Sequence, residues 1–166
     1  MFNFAALFFI IDLFLTEVLM IHLEEVTPEN WRYGLCVSEE QKDLVSNSDR
    51  ILARAWAYRE HHSHAFVIYD DNTPVGMVLY YDCEDLNAYD LSQLFIDHRY
   101  QGKGFGREAS KLVLQMMKSD NRYDRVVLCY IDGNEPAKQL YESLGFHLTG
   151  ESDGDEIIME KFLTYE

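Results

Sequence analysis

Positive charge is scarce in this chain. Fourteen lysines and arginines stand against twenty-nine aspartates and glutamates, a formal net charge of −15. A surface that acidic repels polyphosphate backbones and anionic membranes, so no nucleic acid and no stable membrane insertion are expected, and small cations are the ligands it attracts. Cysteine is sparse too: Cys36, Cys83 and Cys129 are an odd number, lie far apart and form no CxxC pair. That spacing argues against a disulfide framework and suits a reducing cytoplasm. A metal-ligand pattern is missing. His61, His62 and His64 cluster without a cysteine or carboxylate at ligand spacing and read as solvated histidines, so no metal is expected. Two phosphate-binding signatures are absent as well, the GxxxxGK[ST] of a P-loop and the GxGxxG of a dinucleotide site.

Long apolar runs are limited to the first nineteen residues, MFNFAALFFIIDLFLTEVL. This run lacks the basic leader and the A-x-A site of a secretion signal. Asp12 and Glu17 interrupt it, which argues against a membrane span. We read 1–19 as an apolar extension upstream of the functional domain, an amphipathic helix if it packs on the domain or on a partner. Residues 20–166 then form one domain starting at Met20. With 48% apolar and 14% aromatic residues, the chain can fill a core.

Periodicity predicts the elements. IHLEEV (21–26) alternates and reads as a strand. Thr27-Pro28 is expected to open a short helix, and Ser38 another with acids in its first turn. In SDRILARAWAYRE, Ile51, Leu52, Ala55 and Trp56 are placed on one helical face. HAFVIYD and VGMVLYY read as a hairpin, LSQLFI (91–96) as a third strand. Phe105, Ala109, Leu112, Val113, Met116 and Met117 recur at helical spacing. RVVLCYI (125–131) is a buried strand, NEPAKQLYESLG a helix with Gly145 as its C-cap, and FHLTGE with EIIMEKFL a closing hairpin. The expected fold class is α/β (α+β), a mixed sheet with helices on its faces.

The densest glycine cluster, RYQGKGFGRE (99–108), falls between a strand and a helix. Glycines allow positive φ and close backbone approach, and a helix start offers free N–H groups and a positive dipole end. The loop reads as a pyrophosphate cradle, with Arg99, Lys103 and Arg107 adding positive field. Taken alone, it is also readable as a tight turn.

The segment after the next strand carries the resemblance. Asn134, Ala137, Leu140, Tyr141, Gly145 and Phe146 match N-x-x-A-x-x-[LF]-Y-x-x-x-G-F. Gln101-Gly102-Lys103-Gly104-Phe105-Gly106 matches Q/R-x-x-G-x-G/A. With both motifs in order, residues 20 to the end resemble the GNAT family of N-acetyltransferases, most closely its spermine and spermidine (diamine) branch. The resemblance implies a mostly antiparallel sheet with a splayed central strand pair and helices on both faces. It implies acetyl-CoA as cosubstrate, held by the backbone of Leu94, Phe95 and Ile96, by the N–H groups of Gln101, Gly102, Lys103, Gly104, Phe105 and Gly106, and by Asn134. Asn134 also reads as a plain N-cap.

Tyr141 is the catalytic candidate: a phenol that protonates the departing thiolate, or else a core tyrosine on an amphipathic helix. The amine must arrive neutral. Asp82, Glu84, Asp85 and Asp90 lie near its expected entrance, and Glu84 or Asp85 is read as binding a distal ammonium, relaying the proton, or merely solvated. Some polyamine acetylases carry an acid where this chain has Ser92, so the base stays open, with an ordered water held by carboxylates or Tyr81 as one alternative. The implied function is acetyl transfer to a polyamine or diamine amine. The alternatives are another amine (an amino sugar, an amino acid or a protein N-terminus) or a non-catalytic acetyl-CoA sensor. A cytoplasmic homodimer is expected.

Overall fold

A computed structural model describes residues 20–164; the expectation for the apolar extension 1–19 lies outside them. Seven strands form one sheet: β1 Ile21–Glu25, β2 His64–Asp70, β3 Thr73–Cys83, β4 Ala88–Ile96, β5 Arg125–Ile131, β6 His147–Asp153 and β7 Glu156–Phe162. Among the described residues three α-helices accompany them: α1 Ser48–Ala57, α2 Phe105–Asp120 and α3 Glu135–Ser143. Strand order is β1-β2-β3-β4-β5-β7-β6. Every neighbouring pair is antiparallel except β4 and β5, which run parallel because α2 carries the chain back between them.

The sheet is covered on both faces. One cluster joins Phe105, Ala109, Val113 and Met117 of α2 and Tyr141 of α3 to Val78, Tyr80, Tyr89, Leu91 and Leu128. The other joins Ile51 of α1 to Val67, Met77, Leu79, Tyr81 and Phe95. Each stripe follows from the period of its element, four-residue spacing on α2 and two-residue alternation on β3.

The segments before β2 depart from expectation. Residues 28–33 are turns, not a helix. Thr27 N–H donates to Asn30 Oδ1 at 2.8 Å, and Asn30 Nδ2 donates to the Glu25 carbonyl at 2.9 Å. Side chains thereby satisfy groups that a helix would have paired. From Ser38 only one 3₁₀ turn forms, Glu39–Gln41, closed by a Ser38/Gln41 capping box. Asn47 then caps α1 by accepting Arg50 N–H at 3.0 Å. On α1, Ile51 is buried and Leu52 and Ala55 half-buried, but Trp56 is 71% exposed. One residue past Ala55 turns the helix by about 100° toward solvent. There Arg59 lies 4.5 Å above the Trp56 ring.

Candidate functional site

A wedge opens where β4 and β5 part. They pair only at Tyr89↔Val126 and Asp90↔Val127, although β4 continues to Ile96 and β5 to Ile131. From Gln93 to Ile96, β4 is paired with β3 on its other side alone. This is the splayed pair the sequence implied. A bulge sits at the mouth of the split: Leu79 pairs with Gln93 and Tyr81 with Asp90, so Tyr80 faces two residues, Leu91 and Ser92. An extra residue bends a strand and re-aims its side chains.

Two adjoining cavities fill the wedge. One, of about 420 Å³, runs along Leu94, Phe95 and Ile96 to Gly102, Gly104 and Gly106. The other, of about 230 Å³, lies deeper and is bordered by Arg54, Ser92, Cys129 and Glu156. Leu94, Asn134, Ala137 and Tyr141 border both.

The glycine loop closes the larger cavity. Gly102 (φ 77°) and Gly104 (φ 86°) are left-handed, and Gly104 is the N-cap of α2. The amides of Phe105, Gly106 and Arg107 open the helix with no carbonyl a turn behind them, so they are free to meet an anion. The Gln101 side chain anchors the loop. Its side-chain amide donates to the Ile96 carbonyl at 2.9 Å and to Gln41 Oε1 at 3.0 Å, pinning the loop to the strand end. Lys103 Nζ lies 6.0 Å from the Tyr100 and Phe105 ring centres. Arg99 is engaged elsewhere, gripping Asp97 through two bonds of 2.8 and 2.9 Å.

On α3, Asn134 accepts Ala137 N–H at 3.3 Å, so its capping role is real; it also borders both cavities. Tyr141 lies two turns further along, buried, its ring edge-on to Phe146 at 5.8 Å. Burial, with the nearby Cys129, pushes its phenol up to about 12, so it is a filled proton donor at any physiological pH.

The deeper cavity has a polar floor. Arg54 Nη1 donates to Ser92 Oγ at 2.9 Å, and Ser92 Oγ donates to the Tyr81 hydroxyl at 3.3 Å. Tyr81 in turn stands across the strand pair from Asp90, and its ring stacks on Tyr58 at 4.1 Å. Burial pushes Asp90 up to about 6, against the Tyr81 hydrogen bond and the Arg54 charge, which hold it down. Across the wedge, Cys129 Sγ donates to Glu156 Oε2 at 3.2 Å; burial, then this carboxylate, push the thiol up to about 12.

Two candidates fall away from this cavity. Glu84 and Asp85 occupy the one-turn helix Glu84–Leu86 at the closed end of the β3–β4 hairpin and border neither cavity. The wedge opens toward the C-terminal ends of β4 and β5, so that hairpin turn lies at the opposite end of β4. Asp82 is buried, and its Oδ2, though not its Oδ1, is taken by His62 Nδ1 at 2.9 Å and by Arg122. Sequence reading passed over Arg54, Cys129 and Glu156. Arg54 had a visible sign, a charge three residues after buried Ile51 on the inner side of α1; the other two had none.

The sequence profile of the Acetyltransferase (GNAT) family matches residues 23–146. A spermine/spermidine N(1)-acetyltransferase of Bacillus subtilis (strain 168) is 30% identical over 152 residues, 85% of this chain and 98% of that protein. N-acetylaspartate synthetase of Homo sapiens is 36% identical over 83 residues, 50% of this chain and 27% of that protein. A spermidine N-acetyltransferase from Vibrio cholerae, solved in complex with CoA and spermine, superposes with TM-score 0.68 at 19% identity, covering 86% of this chain and 95% of that one. At that identity the superposition speaks for the fold.

Proposed function

The chain belongs to the acetyltransferase (GNAT) family, and on that footing we propose that it moves an acetyl group from acetyl-CoA to a primary amine of a polyamine or diamine such as spermidine or spermine. The observation that carries this reading is the wedge with Tyr141 on the wall common to both cavities. Its open side offers the unpaired backbone edge of Leu94, Phe95 and Ile96, against which pantetheine amides lie as an added strand. The amides of Gln101 to Gly106 and the start of α2 take the pyrophosphate, with Asn134 beside them. The cosubstrate supplies an activated acetyl thioester. Tyr141, protonated and buried, gives its proton to the departing sulfur.

The amine comes from the deeper cavity, past Tyr81 and Ser92. A primary amine with a pKa near ~10.4 is almost wholly protonated at neutral pH, so it must lose a proton before it attacks. The similarity to the Bacillus subtilis acetyltransferase supports a polyamine acceptor, and the acidic chain supports steering of a polycation. Glu84 and Asp85 stand outside this reading because of their place at the far hairpin.

One observation favours a second acceptor class. Lys42, Arg50 and Arg54 border the deeper cavity against Asp43 and Glu156. That cationic lining suits an amine that carries a carboxylate, and half of the chain is similar to N-acetylaspartate synthetase. Thiol release from acetyl-CoA, measured with spermidine, spermine, aspartate and an amino sugar at equal concentration, separates the two. The expected result is fastest turnover with spermidine or spermine; turnover of aspartate alone overturns the polyamine assignment. Tyr141→Phe is expected to lower kcat by ~100-fold or more while CoA affinity by calorimetry is kept. An unchanged kcat would remove the phenol from the reaction. The reading includes a cytoplasmic homodimer, supported by Leu148 and Phe162 exposed on the C-terminal hairpin; light scattering of the purified protein tests the dimer.

A further inference from the structure

We propose that Asp90 is the terminal acceptor for the amine proton, reached through a two-hydroxyl relay, Ser92 to Tyr81 to Asp90, that starts in the acceptor cavity. The proposal rests on the acetyl-transfer reading above and names the base of that same site.

The relay is written in the hydrogen bonds. Ser92 borders the deeper cavity, and Asp90 does not. An amine in that cavity meets Ser92 before any buried carboxylate on β4. Ser92 Oγ donates to Tyr81 OH at 3.3 Å, and Tyr81 on β3 stands directly across the strand pair from Asp90, whose carboxyl it holds down. Arg54 Nη1 donates into Ser92 Oγ at 2.9 Å, so both bonds run toward Tyr81, the cross-strand partner of Asp90. The bulge at Leu91–Ser92 makes this possible, since it brings Ser92 and Asp90 to the same Tyr81 hydroxyl.

The groups facing Asp90 come from four elements: Arg54 on α1, Tyr81 and Cys83 on β3, Cys129 on β5 and Glu156 on β7. Only Arg54 among them is a cation. Burial leaves Asp90 ionised at neutral pH yet a better proton acceptor than a solvated aspartate, with its midpoint at about 6.

The protons balance. The ammonium passes one proton to Ser92 as Ser92 passes its own to Tyr81 and Tyr81 passes its own to Asp90, which becomes the neutral acid. The freed lone pair attacks the thioester carbonyl carbon and forms the C–N bond. The C–S bond breaks as the tetrahedral adduct collapses, and the thiolate takes the Tyr141 proton. The second nitrogen proton replaces the one Tyr141 gave, and Asp90 releases its proton to water.

Three variants test this with spermidine as acceptor: Asp90→Asn, Tyr81→Phe, and Asp90→Asn combined with Ser92→Asp, which places a carboxylate in the cavity itself. The first two are expected to lose ~100-fold in kcat with CoA affinity unchanged. Asp90→Asn is also expected to lose the limb of the kcat/KM profile that has its midpoint near 6. The double variant is expected to recover most of the rate. Folding is not the obstacle: an aspartate whose folded pKa exceeds its unfolded value near ~3.9 destabilises the protein once pH rises through the folded value, so Asp90→Asn keeps or gains stability at pH 7. A kcat and pH profile unchanged in Asp90→Asn, or a rate unchanged in Tyr81→Phe, overturns the relay. Carbon-13 NMR titration of the free protein needs no amine. It should show a carboxyl midpoint near 6 that vanishes in Asp90→Asn and rises in Tyr81→Phe. If the wild type acetylates no amine, the functional reading fails, and this titration still decides whether Asp90 and Tyr81 are linked; a midpoint unmoved by Tyr81→Phe overturns the link.

Discussion

Asp90 and Asp97 belong to the same stretch of chain and titrate in opposite directions. Burial would raise both. At Asp97 it is outweighed by the Arg99 guanidinium and by the Cys36 and Arg99 amides, which hold the carboxyl down at about 2. At Asp90 burial prevails. Asp97 therefore stabilises the fold and is fully effective above the unfolded value near ~3.9; its contribution fades as pH falls through that value toward 2. Asp97→Asn is expected to lower stability at pH 7 by ~2 kcal/mol in urea unfolding, a loss that shrinks steadily below pH ~4. A deficit of the same size at low pH would show that packing, not charge, holds this corner. Arg99 read from sequence as a phosphate-facing cation because its partner is two residues away and folded into the same turn, which no charge count reveals. Tyr141 was legible because the residues around it spell a motif.

Among the elements, β4 decides the site. It pairs with β3 over its length, with β5 at only two positions, and bulges between. Its fit against β3 is close at Gly76, where a methyl would stand 2.3 Å from the Phe95 carbonyl oxygen and 2.9 Å from the Ile96 side chain. Gly76→Ala is expected to push these strands apart and destabilise by ~2 kcal/mol in chemical denaturation. The loop glycines separate in the same way. A methyl at Gly106 meets Ile96, Leu140 and Leu94 at 3.6 to 3.8 Å, ordinary contact. Gly104, at φ 86°, would be strained by any side chain. Gly104→Ala is expected to weaken CoA binding at least ~tenfold and to cost about 1 kcal/mol or more in stability, and Gly106→Ala to do neither, as calorimetry and melting would report. The helices and strands with clean periods were readable in advance. The turn at 28–33 was not, because Asn30 reaches back to Thr27 and Glu25 and takes the hydrogen bonds a helix needs.

Across the whole molecule, two charge patterns oppose each other. The chain is strongly acidic, yet Lys42, Arg50 and Arg54 gather at the deeper cavity. In the proposed reading, long-range attraction brings a polycation to the protein and the local lining governs what it meets. Salt screens the first most, since its range is a Debye length of about 10 Å at ~0.1 M. The KM for spermidine is expected to rise several-fold between ~0.05 M and ~0.5 M salt with kcat little changed, measured by thiol release. A KM flat with salt would leave the acidity a matter of solubility alone.

The amino-acid order by itself determined the α/β class, the glycine turn ahead of α2, the cap at Asn134 and the tyrosine two turns beyond it. Each of these depends on neighbours close along the chain, where backbone conformation and helical period act. Only the tertiary structure decided which acids stand near the cavity and which lie far from it. Glu84, Asp85 and Asp90 lie within one hairpin, and what divides them is the direction in which β4 and β5 separate and the bulge that turns Ser92 toward Tyr81. Those depend on pairing between distant strands, and burial, which sets the affinity of Asp90 for a proton, exists only once they have closed.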